Sequence, residues 1–469
     1  MPITMPTDTL TLLGADAAGC ESRSLFMNRF AYPDAKDSGN NHPRRDWFNK
    51  LAGKSAMSVA FGSRSDWLAQ MIATGQGQIL FTQLQSRLMV NMAGGVMENA
   101  GLCLDRFGLP FIPGSAVKGC ARRAAIGAFH DWCETGVKPV GDDNLFTAAC
   151  ASFESPAEML ADVAHAFGWS EQEWSEEKKD DRLVSDFAWA GGSKHKVIWK
   201  ATAEQIANQL HVAIRDKHQE TPWKSLPNFA GSISFLPAYP VDLGKPGKVD
   251  GLPGEIPLLG KLELDIVTSH HGDYYASKDP DKRATDTEEP VPVVFPTVAA
   301  GHVFVFALVP LRGPDAALVN RVCTWLACGL STFGLGAKTN AGYGWFEDVT
   351  DTIRALESAK KEQQVERARQ AQEKAAIENV RASLQPDPEL IEKLRRMKES
   401  DLRGQINLYA SEERFWMQKD ERVQLTLLYF LGVTATDSLA ADRANPKSKI
   451  AKAIANLAAK FPHVASQKP

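Results

Sequence analysis

Leu330-Ser331-Thr332-Phe333-Gly334-Leu335-Gly336-Ala337-Lys338-Thr339-Asn340-Ala341-Gly342-Tyr343-Gly344-Trp345-Phe346 places Gly334, Gly336, Gly342 and Gly344 around Lys338, Thr339 and Asn340. Glycine reaches φ > 0 without strain and lets a second backbone come close. Successive N–H groups in such a loop can form a concave nest for an anion. A lysine and two hydrogen-bonding side chains at the rim suit a phosphate. The plainer alternative is a turn whose glycines only let a helix pack on a sheet.

Working outward, Val319 to Leu330 reads as a helix with Val322, Leu326 and Leu330 on one face, and Tyr343 to Val349 as a strand leaving the loop. A nucleotide-binding P-loop requires G-x-x-x-x-G-K-[ST] after a strand and at the start of a helix. Here Ala337 precedes Lys338, and the element order is helix, loop, strand. Both facts argue against an NTPase and a dinucleotide fold.

With 469 residues, the chain predicts two domains or one heavily decorated domain. Its net charge of −4 is not that of a free-standing nucleic-acid binder, so any RNA contact must come from a local basic surface. Seven scattered cysteines without a C-x-x-C pair exclude a disulfide framework and a zinc site, which fits a reducing cytoplasm. No metal and no cofactor are expected. The apolar run Val303 to Leu311 has strand length and is too short to span a bilayer, so no membrane partner is expected.

Upstream, Gly77 to Val90 alternates as a strand with Arg87 near its end. Pro113-Gly114-Ser115 then opens a helix over Ala116 to Phe129, with Ser115 as its expected N-cap. Lys118, Arg122 and Arg123 lie on one side of that helix's first turns. A helix N-terminus favours anions, so cations placed there suggest a phosphate partner; the alternative is a solvated basic face. The acidic stretch 154–187 reads as a surface insertion, anchored by Trp169 and Trp174. Segments 243–256 and 272–290 read as flexible loops, and Val291 to Val298 with Val303 to Leu311 as a hairpin.

His270 and His271 with Asp273 follow the strand Leu262 to Val267, but no second ligand cluster stands at a telling spacing. After Val349 the composition turns to Ala, Glu, Lys, Arg and Gln. Ile353 to Leu384 predicts one long helix, Asp387-Pro388 the start of a second, and Ser448 to Lys460 a last amphipathic one. Phe415, Trp416, Leu425, Leu427, Leu428, Phe430 and Leu431 supply a small core. The expected division is 1–350 and 351–469.

Three segments together resemble a known family. They are Arg87…Glu98-Asn99-Ala100-Gly101-Leu102 leading into Ile112-Pro113-Gly114-Ser115-Ala116-Val117-Lys118-Gly119, then Gly231-Ser232-Ile233-Ser234-Phe235 through Pro240, and the glycine loop. A PGSxxKG helix start far upstream of a GxGxKTxxGYG loop resembles the RAMP superfamily of CRISPR–Cas proteins. Within it, Leu264-Asp265…His270…Tyr274-Tyr275 followed by Pro290 to Phe295 is most similar to the sixth-subunit family of Cmr-type (III-B) effector complexes. The sequence departs from that family at Pro237, where aspartate is usual, and at His271, where an aromatic is common.

The resemblance covers roughly residues 75–350 and implies an α+β fold: a ferredoxin-like (RRM-like) core with insertions, here followed by an all-α C-terminal appendage. It implies a non-catalytic subunit that binds CRISPR guide RNA near its 3′ portion and caps a filament of backbone subunits. The implied partners are guide RNA, other type III subunits (backbone RAMP and small subunits) and, indirectly, target RNA. A thumb-like element would fall within 243–256 or 272–290. The residues expected at the RNA are Ser115, Lys118, Arg122, Arg123, Gly334, Gly336, Lys338, Thr339, Asn340, Gly342 and Gly344. The alternative is a metal-independent endoribonuclease processing guide RNA, with His270 or His271 as acid or base beside Lys338.

Overall fold

The computed structural model describes residues 6–14, 17–31, 42–56, 77–95, 97, 100–174, 178–179, 182–183, 185–191, 195–269, 271–287, 291–311, 316–398, 400–401, 404, 420–430, 445 and 447–465. The chain forms two compact units, Met1–Arg354 and Ala355–Pro469.

The first unit is built on strands β1 (Gln78–Leu84), β2 (Ile233–Phe235), β3 (Tyr239–Pro240), β4 (Leu262–Ser269), β5 (Val291–Val298), β6 (Val303–Pro310) and β7 (Phe346–Asp348). Its main helices are α1 (Gly114–Thr135), α2 (Pro156–Phe167) and α3 (Ala316–Thr332). β6 is apolar at every position, Val303-Phe304-Val305-Phe306-Ala307-Leu308-Val309, and buried throughout. Such a run is stable only with both faces covered, and it lies inside the sheet. The antiparallel order is β7-β1-β6-β2, and β3 also pairs with β6. β1 registers from Gln78↔Leu308 to Gln83↔Val303, and Leu84 meets Phe346. Along the chain, β1-α1-β2-β6-α3-β7 reads strand–helix–strand–strand–helix–strand.

α3 packs over β1, β6 and β7, with α1 beside it against β2. The predicted face of α3 is the buried one, including Val319, Val322, Leu326 and Leu330. Trp325 on that face is fully buried and donates its indole N–H to the Ala149 carbonyl at 3.0 Å. Phe153 and Phe167 stack on it, with ring centroids 5.9 and 6.0 Å away.

Three expectations change. Val291–Val298 and Val303–Pro310 are consecutive but do not pair with each other. β5 pairs with β4 along its whole length, from Leu262↔Val298 to Ser269↔Val291, whereas β6 joins the main sheet. Prolines explain the one-sided ribbon. Pro292 and Pro296 share the edge of β5 that points away from β4, and proline brings no N–H to a ladder. Among the described residues only Val298, at the base, makes a backbone pair on that edge, with Leu88.

The stretch 154–187 is not merely a surface insertion. Ser155 caps α2, and Met159, Leu160 and Val163 are fully buried in the main core. A helix with that apolar face gains more from burial than from solvent. Finally, α1 begins at Gly114 with Pro113 as its N-cap; Ser115 sits exposed in the first turn and makes no cap hydrogen bond.

Helix Pro43–Gly53 packs on the β4–β5 ribbon, where Arg44 Nε donates to the Val294 carbonyl at 2.8 Å. Segment 243–256 folds back through a Gly247–Ile256 bridge, and its Gly254 exchanges two hydrogen bonds with the Gln83 amide, both 2.9 Å.

From Thr350 onward every described element is a helix. The long helix α4 (Thr350–Ser383) is followed by α5 (Pro388–Arg395), α6 (Glu421–Tyr429) and α7 (Lys449–Lys460). Asp387 caps α5 by accepting from the Glu389 N–H, with Pro388 at the first position. Leu394, Leu425, Leu427, Leu428, Phe430, Leu457 and Phe461 form a second core. Phe415, Trp416 and Leu431 lie outside the described residues.

Candidate nucleic-acid interface

The glycine loop leaves α3 and docks back on the segment after β1. Gly334, Gly336, Gly342 and Gly344 all have positive φ, at +68°, +104°, +89° and +68°. At three of them backbone crowding also requires glycine. A Cβ on Gly334 would lie 2.9 Å from the Gly344 carbonyl oxygen, one on Gly336 2.5 Å from that of Met89, and one on Gly344 1.9 Å from that of Leu335. Leu335 donates to Gly344 at 2.8 Å, Ala337 to Met89 at 2.7 Å and Gly344 to Arg87 at 2.8 Å. These glycines and N–H groups serve the loop's own closure and its docking on the segment after β1. Gly342 faces open space.

Lys338 takes the left-handed conformation at φ +61°, and its ammonium lies 5.5 Å from the centroid of Phe295 on β5. Thr339 is half-buried, and its carbonyl accepts from the Trp345 indole at 3.1 Å; Asn340 is exposed. The loop is also clasped from the side. Tyr343 donates its hydroxyl to Asp265 Oδ2 at 2.5 Å, and Arg87 reaches Asp265 at 2.7 Å and Glu263 at 3.2 Å. Burial works against ionising Asp265. The Tyr343 hydroxyl, the Ile266 N–H and Arg87 nevertheless hold its carboxyl below the usual carboxylate range. Burial, followed by the hydrogen bond to Asp265, pushes Tyr343 up to about 12.

The three cations predicted on α1 have different surroundings. Lys118 Nζ donates to the Phe167 carbonyl at the end of α2, at 2.7 Å, and burial lowers its pKa. Arg122 bridges Glu173 at 3.3 Å and Asp186, with its guanidinium 5.1 Å from the Phe187 ring. Arg123 is exposed and lies 4.4 Å from the ring centroid of Phe333, the residue before Gly334. That contact sets α1 beside the glycine loop. So does Gly329 of α3, where a Cβ would lie 2.6 Å from the Cys120 carbonyl.

Sequence reasoning missed Glu173 and Asp186 as partners of Arg122, Glu263 and Asp265 as partners of Arg87, and Phe333 and Trp189 as ring surfaces beside the α1 cations. Only the position of Phe333 next to a glycine loop offered a signal. His270 lies outside the described residues. His271 precedes the short helix Gly272–Ala276, and its Nδ1 is buried without a hydrogen-bond partner among the described residues. Among the described residues no group of three or more His, Cys, Asp or Glu is placed to hold a metal, and no helix is long and apolar enough to cross a membrane.

The chain is 27% identical over 268 residues to the CRISPR system Cmr subunit Cmr6 of Pyrococcus furiosus, covering 55% of this chain and 64% of that relative. The chain thus spans a little under two thirds of that relative's length. Among solved structures, it is similar to a chain of a type III-B Cmr-beta complex bound to cognate target RNA (TM-score 0.34, 16% identity, 65% of this chain and 70% of that one). It is also similar to the crystal structure of Cmr6 from Pyrococcus furiosus (TM-score 0.27, 19% identity, 58% and 98%). The RAMP superfamily model matches residues 72–347, which hold β1, α1, the β4–β5 ribbon and the glycine loop, and the chain belongs to that superfamily.

Proposed function

We propose that this chain is a non-catalytic, CRISPR RNA-binding structural subunit of a cytoplasmic type III (Cmr-type) ribonucleoprotein effector complex in antiviral defence. In this reading the β1-α1-β2-β6-α3-β7 core, with strand order 4-1-3-2, is ferredoxin-like, and the helices after Thr350 are an all-α appendage. The chain caps the backbone filament near the guide 3′ end. It contacts guide RNA and neighbouring backbone and small subunits directly, and target RNA through them.

One observation carries the proposal. Arg123 on α1 and Lys338 in the glycine loop belong to two segments that the Arg123–Phe333 contact sets side by side. Contacts of this kind to phosphates position an RNA without reading its sequence, as a variable guide requires. Ser115, Thr339 and Asn340 add hydrogen-bonding groups, and Gly342 leaves room for a backbone to approach. Lys118 and Arg122 join once their present acceptors yield to phosphate. The net charge of −4 suits a subunit whose own RNA contact is local and is strengthened where neighbours supply part of the positive groove.

The test is to purify the tagged chain from its native operon context and sequence the bound RNA. Guide RNA should appear with related subunits, and Lys338→Ala with Arg123→Ala should reduce guide retention as salt is raised. Recovery of the chain alone and free of RNA would overturn the reading.

A second reading, a metal-independent endoribonuclease, has in its favour the buried His271 Nδ1, which meets no hydrogen-bond partner among the described residues. It requires repeat RNA to be cleaved by the purified chain and cleavage to be lost in His271→Ala or His270→Ala.

A further inference from the structure

Beside the glycine loop, a cleft of about 480 Å3 is lined by Arg122, Arg123, Ile126, Asp186, Trp189 and Phe333, among others. Its walls combine ring surfaces with one cation that has no anionic partner among the described residues. Trp189 is 54% exposed, with one face stacked on His130 at a centroid distance of 4.1 Å. An indole normally gives up that much water-exposed apolar surface to the core or to a ligand. Phe333 is backed by Phe146 at 6.1 Å and carries the Arg123 guanidinium at 4.4 Å. Gly127 lines the cleft as well, and a Cβ there would lie 3.2 Å from the Phe146 ring that backs Phe333.

The charges are unequally balanced. Arg122 is paired with Glu173 and Asp186, whereas Arg123 makes no ion pair with a described residue and keeps its charge at the cleft.

The geometry points to a stacking site for one unpaired RNA base, with Trp189 as the platform and Arg123 taking the adjoining phosphate. This deepens the guide-binding reading and rests on it. Every base has a π-face, so a stacking platform accepts any nucleotide, and it adds affinity that phosphate contacts alone do not provide. An aromatic side chain from a neighbouring subunit would find the same rings, but it would leave the Arg123 charge without a counterpart.

The experiment is an anisotropy titration of the purified full chain with octauridylate and with an abasic octamer of the same sugar–phosphate backbone. Trp189→Ala should raise Kd for octauridylate about tenfold and leave Kd for the abasic octamer unchanged. Trp189→Phe should stay within about twofold of wild type, because it keeps a ring. Gly119→Leu is a second probe. A Cβ there meets nothing within 4 Å, so the fold tolerates it while the side chain narrows the cleft, and it should mimic Trp189→Ala.

If Trp189→Ala binds both octamers like wild type while Lys338→Ala weakens both, the base site falls and the phosphate reading stands. If wild type binds neither octamer, both fall. If Trp189→Ala loses a neighbouring subunit with RNA binding intact, the cleft belongs to a protein partner and the base site is overturned.

Discussion

Tyr343 and Asp265 stand 78 residues apart in sequence, yet the hydroxyl of one donates to the carboxylate of the other at 2.5 Å. The bond fastens the glycine loop to the β4–β5 ribbon, and Arg87 closes the same knot from the end of β1. Loop and ribbon thus hold one position by way of a partly exposed polar cluster.

Replacing Tyr343 with phenylalanine removes that bond and keeps the ring, whose centroid is 6.2 Å from that of Phe295. The expected loss is about 1 kcal/mol, at the lower end for a charged acceptor because the site is partly solvated. Denaturant unfolding of the full chain measures it. Hydrogen exchange should quicken at Leu335 and Gly344 before it does in α3.

The glycines should separate sharply on substitution with alanine. Gly344→Ala combines positive φ with a Cβ 1.9 Å from a carbonyl oxygen, so a loss of about 3 kcal/mol or more is expected. Gly342→Ala has positive φ but open space and should lose only about 1–2 kcal/mol. Equal melting temperatures for the two variants would contradict this account.

His302 is buried, donating from Nδ1 to the Ala299 carbonyl at 2.8 Å and accepting at Nε2 from the Gly260 N–H at 3.0 Å. Burial lowers its pKa from 6.5 to about 4. Between these values the unfolded chain binds more protons than the folded one, so stability falls as pH drops through that window. The contribution is complete above about pH 6.5 and gone below about pH 4, roughly 3 kcal/mol in all. Urea midpoints at pH 7 and pH 5 should differ more for wild type than for His302→Gln.

Glu173→Gln with Asp186→Asn removes the carboxylates that now occupy Arg122. A freed guanidinium adds one phosphate contact, so RNA binding should strengthen at low salt. The slope of log K against log salt should steepen by about 0.7. An unchanged slope would mean that Arg122 does not reach the RNA.

A chain ending at Arg354 should melt like the first unit of the full protein, whereas one ending at Val349 should not. Ile353 is fully buried, and the Thr350 hydroxyl accepts from the Phe81 N–H at 3.0 Å. Losing both should lower stability by about 3 kcal/mol. Thermal melts of the two truncations decide it.

Much of the local structure was legible because it obeys short-range rules. Asp387 before Pro388 marks a cap and a first turn, and both are used that way. The apolar spacing of Val322, Leu326 and Leu330 names the buried face of α3 before any contact is known. Alternation located β4, and an uninterrupted Ala/Glu/Lys/Arg run located α4. Ser115 shows the limit of such rules: Pro113 takes the N-cap position two residues earlier, and the helix starts before the serine.

By itself, the sequence determined the element types, the strand length of the apolar run that forms β6 and the need for positive φ in the glycine loop. Each depends on residues within one or two turns. Only the tertiary structure decided which strands pair across 291–310, that α2 belongs to the core, and which cations remain unpaired. Arg122 meets carboxylates 51 and 64 residues away, Lys118 meets a carbonyl 49 residues away, and Arg123 meets a ring on a different helix-to-loop junction. Those partners are chosen by how helices and sheet close on one core, a many-body packing outcome that no local pattern encodes.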